Sequence, residues 1–91
     1  MFLEFMAVKP CRFDAYEAVP KKRVDLDLAR CEEILAGRGY EILANPGVML
    51  VVKKDIEMTL YPGGRLLMHP VKDKAEAGRL AMELYEDLGM V

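Results

Sequence analysis

The segment 56–89 constrains the fold most, because its hydrophobic period changes once, from that of a strand to that of a helix. Apolar side chains alternate with others over 56–60 and again over 65–69, on either side of Pro62-Gly63-Gly64. Two alternating runs joined by turn residues predict a β-hairpin with one apolar face. Proline suits the second position of a turn and glycine accepts a positive φ at the third, so Gly63 is expected to adopt the positive φ.

A helix is predicted directly after this hairpin. Asp73 with Glu76 after it resembles a capping box, and Gly89 is typical of a helix end. Between these ends, apolar residues recur at helical spacing and form one stripe, which consists of Ala77, Leu80, Ala81, Leu84 and Leu88. We expect the leucines of this stripe to be buried beneath the sheet.

The first part of the chain contains one further strand and a long irregular segment. Alternation over 2–8 indicates a strand. Pro10 and Pro20 interrupt the pattern over 9–23, which is therefore predicted to be an inserted loop. The basic triplet at its end, Lys21-Lys22-Arg23, is interpreted either as a solvated run before a helix or as an anion-binding group.

A second helix and two strands are predicted between this loop and the hairpin. Helical spacing is shared by Val24, Leu28, Cys31 and Leu35, with Asp25 or Asp27 as the cap and glycines at 37 and 39 as the end. Tyr40 to Ala44 and Val48 to Lys53 read as strands on either side of the turn Asn45-Pro46-Gly47.

The predicted order is strand, helix, four consecutive strands, helix (β-α-β-β-β-β-α). This order indicates the α+β class, with a curved five-stranded antiparallel sheet and two helices packed on one face. A chain of 91 residues forms one domain, so residues 1–91 are assigned to a single domain with 9–23 as its inserted loop.

Composition excludes several classes of function. No apolar run approaches the roughly 18 residues of a membrane helix, and the apolar start of the chain lacks the features of a secretion signal, so a cytoplasmic protein without a membrane partner is expected. Two cysteines, no Cys-x-x-Cys pair and one histidine suggest neither a zinc site nor a disulfide framework, and no cofactor is expected. The net charge of −2 gives no overall attraction to nucleic acid.

Catalysis is not expected either. Cys31 lies on the apolar stripe of its helix, where cysteine is usually a small buried hydrophobe. His69, Glu57 and Tyr61 share one side of the sheet, but an open sheet face lacks the concave pocket that catalysis uses. The sequence therefore predicts a protein that is not an enzyme.

The strand alternation divides the sheet into a covered face and an open face. The covered face is predicted to hold Leu3, Phe5, Val48, Leu50, Val52, Ile56, Met58, Leu60, Leu66 and Met68. The other face is too apolar for bare solvent, and a contiguous apolar patch of a few hundred Å² or more usually marks an interaction surface. The candidate interaction residues are Glu4, Met6, Asn45, Met49, Val51, Glu57, Thr59, Tyr61, Arg65, Leu67 and His69.

The order of elements is similar to one half of the TATA-box-binding protein family, in which two such repeats form a saddle. Leu26-Asp27-Leu28 resembles the start of that family's first helix, and Tyr40 falls where the family often has a tyrosine. The run from Leu60 to Arg65 resembles its hairpin, and the segment 78–89 resembles its last helix. The resemblance extends from Leu26 onward, with 9–23 as extra sequence.

In that family the concave face of the sheet grips the DNA minor groove. By this resemblance, Tyr61 stands where a phenylalanine wedges between bases, Arg65 where a basic hairpin residue lies and Leu67 where a valine touches the bases. Asn45 takes the place of the other phenylalanine.

Other positions depart from the family. Glu4 stands in place of a groove-reading asparagine, Val51 in place of a phosphate-binding arginine and His69 in place of a threonine. A carboxylate facing the groove floor opposes DNA binding, because it meets a phosphate-rich surface.

Two functions are therefore predicted. The first is a non-catalytic module that uses the open face or an edge of its sheet to bind another protein or a second copy of itself. The alternative is a nucleic-acid-binding dimeric saddle, in which phosphates are contacted by Arg65 and by the candidate anion contacts Lys21, Lys22, Arg23, Lys53 and Lys54. A homodimer is expected because a free sheet edge is a template for another chain, and the competing expectation is a monomer whose edge is hidden by 9–23.

Overall fold

The computed structural model describes residues 5–8, 15–22 and 24–89. Six strands and two helices follow one another along these residues: β1 (Phe5–Val8), β2 (Tyr16–Pro20), α1 (Leu28–Ala36), β3 (Glu41–Ala44), β4 (Leu50–Lys54), β5 (Ile56–Leu60), β6 (Leu66–His69) and α2 (Lys74–Asp87).

The strands form one curved antiparallel sheet in the order β1-β2-β6-β5-β4-β3. The predicted α+β class, antiparallel sheet and two helices are confirmed. The four consecutive strands β3 to β6 form the predicted meander, because short turns join neighbours in an antiparallel sheet.

The prediction of a loop throughout 9–23 is wrong for Tyr16–Pro20, which forms β2. This strand pairs with β6 on one side and β1 on the other, and it adds a sixth strand to the five that were predicted. The backbone of β6 would otherwise leave one edge unpaired, and the pairing with β2 satisfies its hydrogen-bonding groups. Ala15 and Ala18 are fully buried, whereas Pro20, which has no N–H, stands at the strand end.

The hydrophobic core lies on one face of this sheet, beneath both helices. Most residues predicted for the covered face are buried, namely Leu50, Val52, Met58, Leu60, Leu66 and Met68, and Ile56 packs against them. The prediction is wrong for Val48, because 68% of its surface is exposed to solvent. It precedes the first residue of β4, so the strand alternation does not extend to it. Leu3 and the side chain of Phe5 lie outside the described residues.

Both helices begin at aspartate caps. Asp27, rather than Asp25, caps α1, because its Oδ1 accepts hydrogen bonds from the amides of Ala29 (3.1 Å) and Arg30 (3.4 Å). Asp73 caps α2 and accepts from the Glu76 amide at 2.8 Å. The apolar stripes predicted for both helices face the core, with Leu28, Cys31, Leu35, Leu80 and Leu84 buried and Leu88 half-buried against it. The prediction is wrong for Val24, which lies before the Asp27 cap and outside α1.

The turn between β5 and β6 differs from the prediction in one dihedral angle. Gly64, not Gly63, has the positive φ, at 93°. The Gly64 amide donates to the Tyr61 carbonyl and the Tyr61 amide donates to the Arg65 carbonyl, both at 2.9 Å. This is the three-residue hairpin loop in which a left-handed glycine follows the turn and matches the twist of the strands.

Gly64 is buried where four parts of the chain meet. Its carbonyl accepts a 2.6 Å hydrogen bond from the Tyr85 hydroxyl of α2. A Cβ on Gly64 would lie 2.9 Å from Cγ of Pro20 and 3.4 Å from Cβ of Val24. The approach of β2 and of the segment before α1 therefore depends on the absence of a side chain at this position.

A second group of contacts holds the end of α2 against β4. The Tyr40 hydroxyl donates to Oδ2 of Asp87 at 3.1 Å. Lys54 lies over the Tyr40 ring, with Nζ 4.7 Å from the ring centroid, and pairs with Glu83 at 3.4 Å. These contacts and the Tyr85 hydrogen bond all involve residues 83–87, so the last part of α2 is the part that they hold against the sheet and its hairpin turn.

Replacing Gly64 by alanine tests the packing at the turn. We expect Gly64→Ala to lower the free energy of unfolding by about 2–4 kcal/mol, because a left-handed alanine is strained and its Cβ overlaps Pro20. Gly63→Ala is the matched control, since nothing lies within 4 Å of the added Cβ. Urea denaturation of both variants measures the difference, and equal losses of stability would contradict this account of the turn.

Two buried tyrosines, Tyr40 and Tyr85, make the free energy of unfolding depend on pH in the alkaline range. Burial raises the pKa of Tyr85 and the charge of Glu17 raises it further, whereas for Tyr40 the pKa is raised by burial and then by its hydrogen bond to Asp87. The folded protein therefore holds these protons more tightly than the unfolded chain, in which tyrosine has a pKa of about 10. Their contribution to stability is complete below that pH and decreases above it, by about 1.4 kcal/mol per pH unit for each tyrosine.

Urea denaturation at a series of pH values from neutral to alkaline measures this dependence. The double variant Tyr40→Phe/Tyr85→Phe is expected to be less stable at neutral pH and to lose less stability as the pH rises. A decline as steep as that of the unaltered protein would show that other groups cause it.

Candidate interaction face

The side of the sheet opposite the core forms the candidate site. It is named here the open face and is defined by Glu17, Val19, Met49, Val51, Lys53, Glu57, Thr59, Tyr61, Arg65, Leu67 and His69. The strand residues among them alternate with the buried residues of the core, so they point away from it. The helix residues that are buried belong to the core on the other side of the sheet.

A row of apolar and small side chains crosses the middle of the open face. Val51 pairs with Thr59, and Thr59 pairs with Leu67, so these three lie side by side on β4, β5 and β6. All three are half-buried although no described helix covers them, because neighbouring side chains of the sheet shield one another. Leu67 is followed across the sheet by Glu17 of β2.

Charges of both signs flank this row on one side. Lys53 of β4 lies between Glu41 of β3 and Glu57 of β5, and Glu57 in turn pairs with His69 of β6. Opposite charges that face each other across strands stabilise a sheet modestly. This side of the open face therefore carries no uniform electrostatic sign.

An arginine and an aromatic ring occupy the other side. The Arg65 guanidinium carbon lies 4.8 Å from the centroid of the Tyr61 ring, and its Nε lies 3.4 Å from Oε2 of Glu17. Met49 directly precedes β4 and is half-buried near the same end of the sheet. Arg65 is thus already engaged within the open face by a cation–π contact and an ion pair.

The structure brings together most of the predicted interaction residues. Met49, Val51, Glu57, Thr59, Tyr61, Arg65, Leu67 and His69 all lie on the open face, as the strand alternation predicts. Met6 stands opposite Val19 in the register of β1 and β2, and its side chain lies outside the described part of the chain, as does Glu4.

Asn45 was predicted to lie on the interaction face, but its side chain is directed to α1 instead. Its amide nitrogen donates to Oε1 of Glu32 at 3.0 Å and to the Leu28 carbonyl at 3.4 Å, and its Oδ1 accepts from the Gly47 amide. Asparagine favours such contacts in turns, where its short amide reaches nearby backbone groups. It therefore ties the β3–β4 turn to the helix and does not belong to the interaction face.

Lys54 was predicted to be an anion contact, and this prediction is wrong. Its contacts with Glu83, Tyr40 and the Arg38 carbonyl lie on the helix side of the sheet. Lys53, its neighbour, lies on the open face, and Lys21 and Lys22 are exposed after β2. Arg23 lies outside the described residues.

Sequence reasoning missed Glu17 and Val19, because both lie in the segment predicted to be a loop. The signal was a short alternation, in which Tyr16 packs against the core and Ala18 is buried, with Glu17 and Val19 on the other side. Alanine is a weak marker of a buried strand, and the nearby proline favoured a loop. Glu17 matters for the electrostatics of the site, since it pairs with Arg65.

Two further reactive residues of the described chain, Cys31 and His69, lie on α1 and β6. Burial raises the pKa of Cys31, and the charge of Asp27 raises it further, so the thiol stays protonated. His69 lies half-buried opposite Glu57 on a sheet surface. Within residues 5–8, 15–22 and 24–89, no group of three or more histidine, cysteine, aspartate or glutamate side chains is placed to hold a metal ion.

The same part of the chain contains no helix with the length and apolar composition needed to cross a membrane. Comparison with known proteins gives no family: no family model matches the chain, and no curated protein or solved structure matches it significantly.

Proposed function

We propose that this protein is a non-catalytic binding module whose open face is covered by another protein chain, and that this chain is a second copy of itself. The observation that carries the proposal is the apolar row Val51, Thr59 and Leu67, which stands on the side of the sheet that neither described helix covers. Burial of such a row against a partner is favourable, by roughly 25 cal/mol for each Å² of apolar surface removed from water.

The composition of the open face supports a protein partner. Aromatic residues, methionine and arginine are enriched in protein interfaces, and the open face carries Tyr61, Met49 and Arg65 next to its apolar row. The Tyr61 ring and the Arg65 guanidinium already contact each other, so less side-chain freedom is lost when a partner covers them.

The charge distribution supports a second copy as the partner. A twofold axis places the same surface of two molecules together, so the surface must complement itself. The open face satisfies this requirement because it carries acidic and basic groups together, with Glu57 beside Lys53 and Glu17 beside Arg65. The chain's net charge of −2 opposes association only weakly.

The sheet edge is the competing surface for self-association. Leu43 of the edge strand β3 is 42% exposed, and Val48 in the following turn is 68% exposed. An edge strand with exposed apolar side chains is a template for pairing with another chain. We assign association to the face because its apolar row extends across three neighbouring strands, whereas Leu43 and Val48 belong to one strand and the turn after it.

Two substitutions by glutamate distinguish the face from the edge. Leu67→Glu places a charge in the apolar row, and Val48→Glu is the control that places the same charge in the exposed turn beside the edge strand. We expect the unaltered protein to dimerise, Leu67→Glu to weaken dimerisation at least about tenfold and Val48→Glu to change it little. Sedimentation equilibrium over a wide concentration range measures each, with circular dichroism to establish that both variants fold.

Two results would contradict the proposal. One is a single species at the 10.3 kDa chain mass throughout the concentration range for the unaltered protein. The other is loss of the dimer in Val48→Glu with retention in Leu67→Glu, which would assign association to the edge.

The second candidate function is a nucleic-acid-binding dimeric saddle. The exposed Lys21, Lys22 and Lys53 favour it, because lysines contact phosphates without regard to sequence. Glu17 and Glu57 on the open face oppose it, because their carboxylates repel the phosphate backbone. The resemblance to half of the TATA-box-binding protein family supports a saddle by analogy of fold, which is a weak guide to function.

Titration with labelled duplex DNA tests this alternative. We expect weak binding or none at physiological salt, because acidic residues interrupt the basic ones across the face. Fluorescence anisotropy at about 50 mM and about 200 mM salt measures it. Sub-micromolar binding that falls steeply with added salt would favour the saddle over the protein-binding module.

A further inference from the structure

A groove lies beside the β5–β6 turn, where β2 ends. Its volume is about 360 Å³, and its walls are formed by the end of β2, by Lys21 and Lys22, and by Tyr61, Gly63 and Arg65 of the hairpin. Ligand pockets usually occupy roughly 300–1,000 Å³, so the groove is large enough for a small ligand.

The groove is basic although the chain as a whole is acidic. Lys21, Lys22 and Arg65 line it, and among the described residues no carboxylate does. Glu17 reaches Arg65 from the neighbouring part of the sheet at 3.4 Å and offsets part of its charge, whereas both lysines are exposed. A concave surface lined by one sign of charge concentrates ligands of the opposite sign. The ligand that complements this groove is therefore an anion.

An aromatic ring stands among these cations. Tyr61 lines the groove, and the Arg65 guanidinium lies over its ring at 4.8 Å. Flat rings such as nucleobases stack on tyrosine and on the guanidinium plane of arginine, which is how many proteins hold bases without reading their sequence. The groove thus presents a surface for a planar ring beside two lysines that suit a phosphate.

The hairpin wall of the groove is held by the backbone of the turn. The amides of Gly64 and Tyr61 donate within the turn at 2.9 Å, and the Leu26 amide donates to the Pro62 carbonyl at 2.8 Å. A wall that is formed before the ligand arrives reduces the ordering cost of binding.

We propose that this groove binds a nucleotide, with the phosphate on Lys21 and Lys22 and the base against Tyr61 and Arg65. The groove is matched by a phosphate ester joined to a planar base. Both a free nucleotide and one nucleotide of a single-stranded nucleic acid have this chemistry. This inference goes beyond the proposed function. Tyr61 and Arg65 belong to the open face as well, so a nucleotide and a second copy are expected to compete for these two side chains.

Nuclear magnetic resonance titration of the ¹⁵N-labelled protein with adenosine monophosphate tests the proposal. We expect saturable shifts of the amide signals of Lys21, Lys22 and Gly63. Adenosine alone and inorganic phosphate alone are expected to bind at least about tenfold more weakly, because each makes only part of the contacts. A single strand of deoxyadenosines that shifts the same signals at lower concentration would also support the proposal and identify a strand as the source.

A charge-matched pair of variants locates the binding. Lys21→Gln/Lys22→Gln is expected to weaken adenosine monophosphate binding at least about tenfold. Lys72→Gln/Lys74→Gln removes the same charge from exposed lysines on either side of the Asp73 cap of α2 and is expected to leave binding within about twofold. All four lysines are exposed, so both variants should fold.

Three results would overturn the proposal. The first is the absence of shifts at the groove amides, and the second is an equal loss of binding in the two double variants. The third is inorganic phosphate binding as tightly as the nucleotide, which would reduce the groove to a simple anion site.

Discussion

The hydrogen bond from the Tyr85 hydroxyl to the Gly64 carbonyl is the contact on which the arrangement of this fold depends. It is 2.6 Å long and buried, and it joins α2 to the turn of the central hairpin. A buried carbonyl without a partner costs free energy, so the helix and the turn are fixed relative to each other. The absence of a side chain on Gly64 then permits Pro20 and Val24 to approach, which positions β2 and the segment before α1.

One turn therefore serves both the interior and the surface. Its buried side organises the core, whereas its outer side presents Tyr61, Gly63 and Arg65 to the groove beside Lys21 and Lys22. Both helices lie on one face of the sheet and leave the apolar row on the other face available to a partner. The proposed protein-binding face and the proposed nucleotide groove are neighbouring parts of one surface, since Tyr61 and Arg65 belong to both.

Much of this fold was predictable from the sequence, because periodicity and caps report local structure directly. Both helices, the four-strand meander and most of the open face follow from side chains that repeat every second residue or at helical spacing. The strand β2 was not predictable on these grounds, because its buried residues are small and it is held by pairing with strands that are distant in sequence. Glu17 and Val19 were missed for the same reason.

The other differences arise where residues leave the regular elements. Asn45 and Val48 lie in the β3–β4 connection, where no period fixes the direction of a side chain. Lys54 was assigned by its charge alone, whereas its long side chain packs on Tyr40 and reaches Glu83. The resemblance to the TATA-box-binding protein family stays a prediction, and the partner of the open face had to be argued from its shape and charge.

The accessibility of the open face in solution tests the central claim most directly. A soluble paramagnetic chelate broadens the methyl signals that solvent reaches, so it can be used to compare Val51 and Leu67 in dilute and in concentrated protein. The account predicts that both become protected as the concentration rises, whereas Val48, which is 68% exposed and lies in the β3–β4 connection, stays accessible. Equal accessibility of Val51 and Leu67 at both concentrations would contradict the claim that a second copy covers this face.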